Sequence, residues 1–420
     1  MKSRDFLNEV VGHMKSHEAR ELVTVELEHH VESEKKRLIG KGYGEEEAER
    51  LAVEQMGNPE QIGQRLNKIH RPKTDWWLIG LLAATIGISF LPLLFWNMDT
   101  SYFPRAKFAY TFIGVIIVVA VMFFDYRKIL KWKWAFYGGG LLGLLLPIIT
   151  PTTYVNGKPI LTIGSIAIQG SEIILLFYLA FSCFLLSKKT TIWKMLLLLV
   201  IPAFLFLRVQ DATSLFIFGV TIFVMLWFSD LSKRKVAVLT TGGLVSVVSG
   251  VLLMWSTLDY YQKERFIGYM NPKEFPDTSG YMYLHLKDVI ADAGWFGQNS
   301  KELFIPSGHT DFVFVSLTYH FGWLTGMVVF IVLTMLMVRM IFMTMAIRDQ
   351  FGQMLVIGGL ALFSVQFLYS VGMIFGLVPI VSLSLPFISY GLSQTLVNSV
   401  VFGLVLSVYR RKDLVLSKAV

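Results

Sequence analysis

The sequence has little of two things that soluble and secreted enzymes normally contain. It has one cysteine, Cys183, in 420 residues, so no disulfide can form within the chain. Charged residues make up only 16% of the chain, against about 25% in soluble domains. Because Cys183 lies in an apolar run, we interpret it as a small buried hydrophobic side chain. These two shortages exclude a disulfide-stapled fold and an ordinary soluble one.

Apolar residues are abundant instead. They make up 54% of the chain, and the mean hydropathy is +0.57. A helix of roughly 20 apolar residues crosses about 30 Å of hydrocarbon, and the alternating ten-residue segments of a membrane barrel are missing. The sequence therefore predicts an all-α, polytopic membrane protein of ten transmembrane helices. The predicted spans lie near 76–96, 107–124, 134–149, 172–187, 192–208, 212–229, 236–256, 313–338, 354–376 and 386–408.

Residues 1–75 differ in composition from everything that follows. They hold 13 Lys and Arg and 15 Asp and Glu, and Val23, Leu27 and Val31 recur at four-residue spacing as a narrow apolar stripe. Glycines interrupt the pattern, and Pro59 is placed to open a further helix. We expect a small soluble cytoplasmic domain of three or four helices. Its role is protein contact or regulation, or it is only a solvated helical cap.

The basic residues of the membrane part predict its topology. Positive clusters lie at 125–133, 188–194, 233–235 and 410–412, on alternate connections between spans. The positive-inside rule then places both termini in the cytoplasm and the long loop 257–312 outside. The net charge of +8 is accordingly attributed to topology and membrane lipids and not to nucleic acid.

Polar groups beside the spans are candidates for function. Glu172 opens the fourth span, and Arg208 and Asp211 lie between the fifth and sixth. Ionisable groups at membrane depth are candidates for function. Glu172 also suits the start of a helix, and Asp211 also suits an ion pair with Arg208 or a helix cap. The Pro- and Gly-rich stretch 379–393 predicts a re-entrant or broken helix lining a polar cavity, or a simple kink at a helix entry.

The strongest candidate is the end of the long loop, where His309, Thr310 and Asp311 directly precede a new apolar helix. Loops longer than about 15 residues are usually functional or disordered. This one holds Trp, Tyr and Phe beside Lys and Arg, so we interpret it as an ordered binding loop. Taken alone, Thr310 and Asp311 also suit an N-cap of the eighth span.

These features occur in an order that resembles the SEDS family, the bacterial FtsW, RodA and SpoVE proteins of shape, elongation, division and sporulation. The resemblance covers about residues 76–412, and an ordered set of motifs is far more specific than any one of them. The matching residues are Tyr261, Gln262 and Arg265, Asn271-Pro272, Gly280-Tyr281, Gly294 to Gly297, His309 to Phe314, Gly372-Met373, Gly376 to Pro379, and Leu385 to Gly391.

The chain also departs from the family pattern at several positions. Gly170 stands where the family usually has proline, and Leu175 stands where it usually has lysine. The family's Arg-Trp pair before this motif is replaced by Lys158 without a Trp. A Pro-Asp-Leu-Gly-Thr stretch has become 210–214, in which only Asp211 keeps its register, and Leu392 replaces a glycine. The resemblance is that of a divergent member.

The resemblance implies a peptidoglycan glycosyltransferase that polymerises lipid II, with Asp311 as the general base. A diphosphate leaving group needs cationic donors or a divalent cation such as Mg or Mn, and Arg265 is the first candidate, with Lys273 among the others. No dedicated metal site and no other cofactor is predicted. The further substrate-binding candidates are Lys263, Lys287, His309, Thr310, Asp211, Glu172, Ser389 and Tyr390.

Two other functions remain open from the sequence. A flippase or transporter of a lipid-linked precursor would use the same broken segment, and a non-catalytic cell-wall scaffold would tolerate the departures at 158–175 and 208–214. The resemblance also implies a partner, a class B penicillin-binding protein, because the chain carries no transpeptidase motif of its own. We expect domains at 1–75 and 76–412, followed by a cytoplasmic tail at 413–420.

Overall fold

The computed structural model describes residues 2–70, 72–94, 102–155, 158–163, 166–168, 170–186, 191–254, 260–298 and 305–414. The chain forms two compact units. The first runs up to Asp75 and includes the residues from Tyr409 onward, and the second is Trp76–Val408.

The first unit contains four helices, within the predicted three or four. They are α1 (Ser3–Gly12), α2 (His17–Ile39), α3 (Glu45–Met56) and α4 (Pro59–Ile69). Their ends follow ordinary capping chemistry: Asn58 accepts hydrogen bonds from the backbone of Glu60 and Gln61 at the start of α4, and Pro59 occupies its first turn. The predicted stripe of Val23, Leu27 and Val31 is confirmed as part of the core.

The end of the chain completes this core. Leu414 is buried among the apolar side chains of the first unit. The backbone carbonyl of Asp413 lies 3.0 Å from His70 Nδ1, and the Asp413 carboxylate lies 2.8 Å from Lys73 Nζ. The described residues after α16 are therefore part of the first unit, and the expected cytoplasmic tail at 413–420 stays a prediction.

Twelve helices lie wholly or largely in the second unit. They are α5 (Trp76–Ile88), α6 (Tyr102–Phe123), α7 (Lys133–Ile149), α8 (Gly170–Phe184), α9 (Ile192–Arg208), α10 (Ala212–Trp227), α11 (Lys233–Met254), α12 (Tyr260–Met270), α13 (Tyr281–Asp292), α14 (Val313–Ala346), α15 (Gln350–Ile374) and α16 (Leu392–Arg410). Short 3₁₀ turns occupy Leu91–Leu94, Tyr126–Trp132 and Pro272–Glu274.

Each of the ten predicted spans coincides with one of these helices, α5 to α11 and α14 to α16. In the described residues, seven segments are long and apolar enough to cross a membrane, and α8 and α10 are shorter apolar helices. The prediction of a mostly helical, multi-pass membrane protein is confirmed. The count of ten crossings stays a prediction.

A small antiparallel sheet before α8 was not predicted. Its strands are β1 (Thr153–Val155), β2 (Lys158–Ile163) and β3 (Ile166–Ile168), in the order β1-β2-β3. Isoleucine and threonine are enriched in these strands, as the pleated geometry favours. The all-α class therefore carries one β-meander.

Helix α14 consists of two helical pieces. Gly322 interrupts them with a φ of 84°, a conformation that glycine adopts without steric cost. The turn after α13 fits into this break: the backbone N–H groups of Trp323 and Leu324 donate to the carbonyls of Gly294 and Trp295, at 3.0 and 3.3 Å. The turn after α13 therefore supplies acceptors for the first N–H groups of the second piece of α14, where the break at Gly322 leaves them without helical partners.

The packing of Leu414 leads to a stability prediction. Leu414→Ala leaves a cavity in a small core and is expected to lower the free energy of unfolding of the first unit by about 2–5 kcal/mol. Hydrogen exchange of the α1–α4 amides in the full-length protein in detergent measures this loss. Val25→Ala is the control, because Val25 is 62% exposed in the same unit. Equal exchange in both variants would show that the end of the chain is not part of this core.

Candidate active site

The residues just before α14 form a tight, internally bonded turn. The N–H groups of Thr310 and Phe312 both donate to the carbonyl of Ser307, at 3.0 and 3.2 Å. Ser307 has a φ of 52°, in the left-handed region that non-glycine residues rarely occupy. The buried hydroxyl of Ser316 donates to Gly308 at 2.9 Å and fastens the turn to the first piece of α14. The chain is thus held in a specific shape around Asp311.

Asp311 does not cap the helix, so the N-cap alternative is wrong. The N-cap residue of α14 is Phe312, which makes no side-chain cap bond. The Asp311 carboxylate instead accepts a hydrogen bond from the Ser382 hydroxyl. Burial raises the pKa of Asp311 to about 6, and the Ser382 hydrogen bond opposes that rise. A half-buried carboxylate with a pKa near the working pH suits a general base.

The loop 385–391 holds this turn from the other side. The Ser389 hydroxyl donates to the Thr310 carbonyl at 2.6 Å and accepts from the Leu385 N–H at 2.8 Å. The Tyr390 N–H donates to the His309 carbonyl at 2.8 Å. Ser389 and Tyr390 therefore lie beside the Asp311 turn, and Ser389, which is buried, ties the two segments together. Their role in substrate binding stays a prediction.

This stretch is not a re-entrant helix. From the end of α15 at Ile374 to the start of α16 at Leu392, the chain is turns and irregular backbone. Hydrogen bonds from other elements support it: Tyr269 donates to the Leu377 carbonyl, and the Ile380 N–H donates to the Tyr283 hydroxyl. The prediction of broken regular structure was right and that of a helical piece was wrong, because α12 and α13 supply the backbone partners that a helix would provide internally.

Sequence reasoning missed one wall of the site, which is a face of α6. Phe103, Lys107 and Tyr110 follow the spacing of one helix face. The rings of Phe103 and Tyr110 lie 5.4 and 5.7 Å from the ring of Tyr390, and Lys107 donates to backbone carbonyls of the 385–391 loop. The spacing in the sequence was the available signal, since a lysine between two aromatics on an otherwise apolar helix needs a polar partner.

His309 contributes its backbone and its ring. The ring packs edge-on against Phe103 and Tyr390, at 6.1 Å between centroids in each case. Burial lowers the pKa of His309, which favours the neutral imidazole. These contacts hold the ring beside the Asp311 turn, and burial, not a charged neighbour, dominates the pKa of Asp311.

The predicted cations whose side chains are described form no ion pair with Asp311. Lys263 lies on α12, and Lys287 on α13 is exposed. The side chain of Arg265 lies outside the described part of the structure. Among the side chains that are described, none forms an ion pair with Asp311. The cationic part of the predicted site therefore remains a prediction.

Asp211 and Glu172 lie at two helix starts. Asp211 is the N-cap of α10: its carboxylate accepts from the Ser214 N–H and hydroxyl, at 3.3 and 2.6 Å. The cap alternative for Asp211 is therefore correct, and Arg208 is exposed at the end of α9. Glu172 occupies the first turn of α8, where a negative charge is favourable.

Comparison with known proteins identifies the family. Residues 75–414 match the sequence profile named for FtsW, RodA and SpoVE and described as a cell cycle protein. The chain belongs to the FtsW/RodA/SpoVE family. It is 27% identical over 333 residues to the stage V sporulation protein E of Bacillus subtilis, covering 74% of this chain and 88% of that one. It is 27% identical over 329 residues to a probable peptidoglycan glycosyltransferase FtsW of Geobacter metallireducens, covering 74% and 86%.

Solved structures share the fold. A chain of a peptidoglycan synthase complex, described for its structural coordination of polymerization and crosslinking, superposes with a TM-score of 0.68 at 23% identity, covering 81% of this chain and 98% of that one. The rod shape determining protein RodA of Thermus thermophilus superposes with a TM-score of 0.60 at 21% identity, covering 81% and 97%. The SEDS resemblance and the polytopic helical fold are both confirmed.

The raised pKa of Asp311 predicts a pH-dependent stability. Its folded-state pKa of about 6 exceeds the ordinary value of 3.8, so the ionised carboxylate destabilises the fold above about pH 6 and not below about pH 4. Asp311→Asn is expected to raise the free energy of unfolding at pH 8 by at most about 3 kcal/mol. The same change is expected to alter it little at pH 4. Thermal unfolding in detergent at both pH values is the measurement. Asp277→Asn, at an exposed loop position, is the control, and a stabilisation that is equal at both pH values would contradict the buried carboxylate.

Proposed function

We propose that this protein is a peptidoglycan glycosyltransferase that polymerises lipid II, with Asp311 as the general base. The observation that carries the proposal is the Asp311 carboxylate, which is half-buried, not used as a cap, and held in a turn with two independent hydrogen-bonded supports. Relatives matched over most of their length are named peptidoglycan glycosyltransferases.

The reaction follows from the chemistry of the two sugars. Asp311 takes the proton from the 4-hydroxyl of the acceptor sugar as that oxygen attacks the anomeric carbon of the donor. The bond from the anomeric carbon to the diphosphate breaks, the configuration inverts, and undecaprenyl diphosphate leaves. Solvent then takes the proton from Asp311. Arg265 and Lys263 are our candidates for stabilising the charge on the diphosphate, with Lys287 as a further donor on the same loop.

A groove beside the site fits the lipid tail. It has a volume of about 190 Å³, lies among α5, α6 and α16, and is lined mostly by apolar side chains such as Leu82, Ile86 and Val118. Phe387 lines it too, and Phe387 belongs to the loop that is tied to the Asp311 turn. We assign this groove to a short part of the polyprenyl chain, because an apolar groove binds hydrocarbon through its methylene groups.

A divalent cation at the diphosphate was left open by the sequence. In the described parts of the chain, no three His, Cys, Asp or Glu side chains converge. The donor set therefore does not form a metal site of its own. We assign no step of the reaction to an ion held by this protein.

The partner that we propose is a membrane-anchored class B penicillin-binding protein. The structural relative with a TM-score of 0.68 belongs to a peptidoglycan synthase complex described for polymerization and crosslinking. This chain carries no transpeptidase motif, so crosslinking of its product needs a second protein. Membrane lipids surround the exposed apolar faces of its helices.

The direct test is polymerisation of purified lipid II. Asp311→Ala is expected to lower the rate by about 10²- to 10⁴-fold, the usual contribution of a general base. The wild-type rate is expected to rise with pH through about 6, the pKa of Asp311, because only the ionised carboxylate accepts a proton. Gel separation of the glycan products, with and without a candidate transpeptidase, measures both effects.

Asp277→Ala is the matched control, since Asp277 is an exposed aspartate in the same loop. Polymer from wild type and control but none from a folded Asp311→Ala protein supports the assignment. No polymer from any of them, under conditions in which a family member is active, argues for the scaffold or the flippase. A lipid-flipping assay on the same samples then separates those two.

The proposed reaction also requires a topology, with the long loop outside and both termini in the cytoplasm. Single cysteines introduced into a cysteine-free Cys183→Ser background test it. A membrane-impermeant maleimide is expected to label Thr278→Cys in intact cells and Lys41→Cys only after permeabilisation, because both positions are exposed in the folded units. The reverse pattern would place the site on the cytoplasmic face, away from an extracellular polymer.

A further inference from the structure

Lys107 is a buried cation, and the backbone carbonyls of residues 387–389 form a cradle around its ammonium group. It lies near the start of α6, and only 4% of its surface is exposed. Its ammonium group donates to three consecutive backbone carbonyls, those of Phe387, Ile388 and Ser389, at 3.5, 3.2 and 3.1 Å. Among the described side chains, no carboxylate forms an ion pair with it.

Burying an ammonium group is energetically costly unless each of its N–H donors has a hydrogen-bond partner. Removing an ammonium group from water costs several kcal/mol in real proteins, and the group has three N–H donors to satisfy. The three carbonyls match that number. Phe387 adopts a φ of 62°, a left-handed conformation that a bulky residue rarely takes, at the point where the three carbonyls turn toward one ammonium. The loop is thus shaped around the cation.

The cradle is two contacts away from Asp311. Ser389 accepts from Lys107 through its carbonyl and donates through its hydroxyl to the carbonyl of Thr310, the residue before Asp311. The next residue, Tyr390, donates its N–H to His309. An ammonium that fixes the carbonyls of 387–389 therefore also fixes the two bonds that hold the Asp311 turn.

Lys107 is well placed to act as a fixed point. Two turns further along α6, a Cβ added at Gly114 would lie 2.9 Å from side-chain atoms of Thr395 and Ser399, so α6 and α16 approach each other closely there. The 385–391 loop leads directly into α16. The ammonium therefore anchors the loop to a helix whose own position is set by close packing.

We propose that Lys107 is a positioning residue for the glycosyl transfer, which holds the 385–391 loop and through it the carboxylate of Asp311. This inference rests on the proposed function for its kinetic consequence. Its structural part, the control of the Asp311 turn by the ammonium, stands independently of any activity.

The test compares Lys107→Met with Arg105→Met in the full-length protein. Methionine keeps the length and removes the donors, and Arg105 is an exposed cation on the same helix. We expect Lys107→Met to lower kcat for lipid II polymerisation by about 10²-fold, the effect of misplacing a reacting group by about 1 Å. KM is expected to change less than about three-fold, because a positioning residue acts in the transition state and not in ground-state binding. Lys107→Arg keeps the charge and the donors and is expected to recover about ten-fold of the loss.

Hydrogen exchange supplies a readout that needs no activity. In Lys107→Met, the amides of Tyr390, Thr310 and Phe312 are expected to exchange faster than in wild type, while those of α8 and α10 keep their rates. Arg105→Met is expected to change neither set. If the wild-type protein polymerises nothing, the proposed function fails, and exchange still decides the role of Lys107.

Two results would overturn the inference. The first is a folded Lys107→Met protein with wild-type kcat and wild-type exchange at residues 306–314. The second is a result for Ser389→Ala, which decides the question if Lys107→Met does not fold. Ser389→Ala removes the link to Thr310 while leaving the three carbonyls in place, so unchanged exchange at 306–314 in that variant would show that the loop does not control Asp311.

Discussion

The site depends on two irregular segments satisfying each other's backbone. Neither the turn before α14 nor the loop before α16 has the repeating backbone hydrogen bonds of a helix. The Ser389 hydroxyl and the Tyr390 N–H bond to the carbonyls of Thr310 and His309 and so join the two segments. Neither of these two bonds uses the Asp311 carboxylate, so the contacts that hold the backbone leave that carboxylate in place for proton transfer.

Strained backbone is concentrated at this junction. Ser307 and Phe387, two of the three non-glycine residues with positive φ in the described chain, lie one in each segment. Such conformations cost of order 1–3 kcal/mol each and persist only where surrounding contacts over-determine them. Ser316 supplies those contacts on one side, and Lys107 does so on the other. The turn around Asp311 is thus held by its own helix through Ser316 and by the neighbouring loop, which Lys107 of α6 anchors.

The features that could be predicted from the sequence are those that produce a local pattern of residues along the chain. Apolar runs place ten of the twelve helices of the second unit, and an ordered motif places Asp311. What was missed depends on contacts between distant positions. Lys107 pairs with carbonyls some 280 residues away, and Leu414 joins a core built by the first 70 residues. Backbone carbonyl partners cannot be recognised from the order of side chains, so the contacts of Lys107 could not be predicted. A single leucine forms no periodic pattern, so the burial of Leu414 could not be predicted either. The cap alternative for Asp311 failed because α14 begins one residue later, with Phe312 as its N-cap.

The departures from the family pattern at α8 and α10 are linked by packing. Gly170 stands where the family usually has proline, and a Cβ at this position would lie 2.3 Å from Asp211 Oδ2. Such a contact is not tolerated, so the carboxylate that caps α10 occupies space that the glycine leaves open. In this chain the start of α8 therefore approaches the Asp211 cap of α10 so closely that a side chain at position 170 would require one of them to move. The absence of a side chain at Gly170 thus lets the two helix starts pack together with the cap intact.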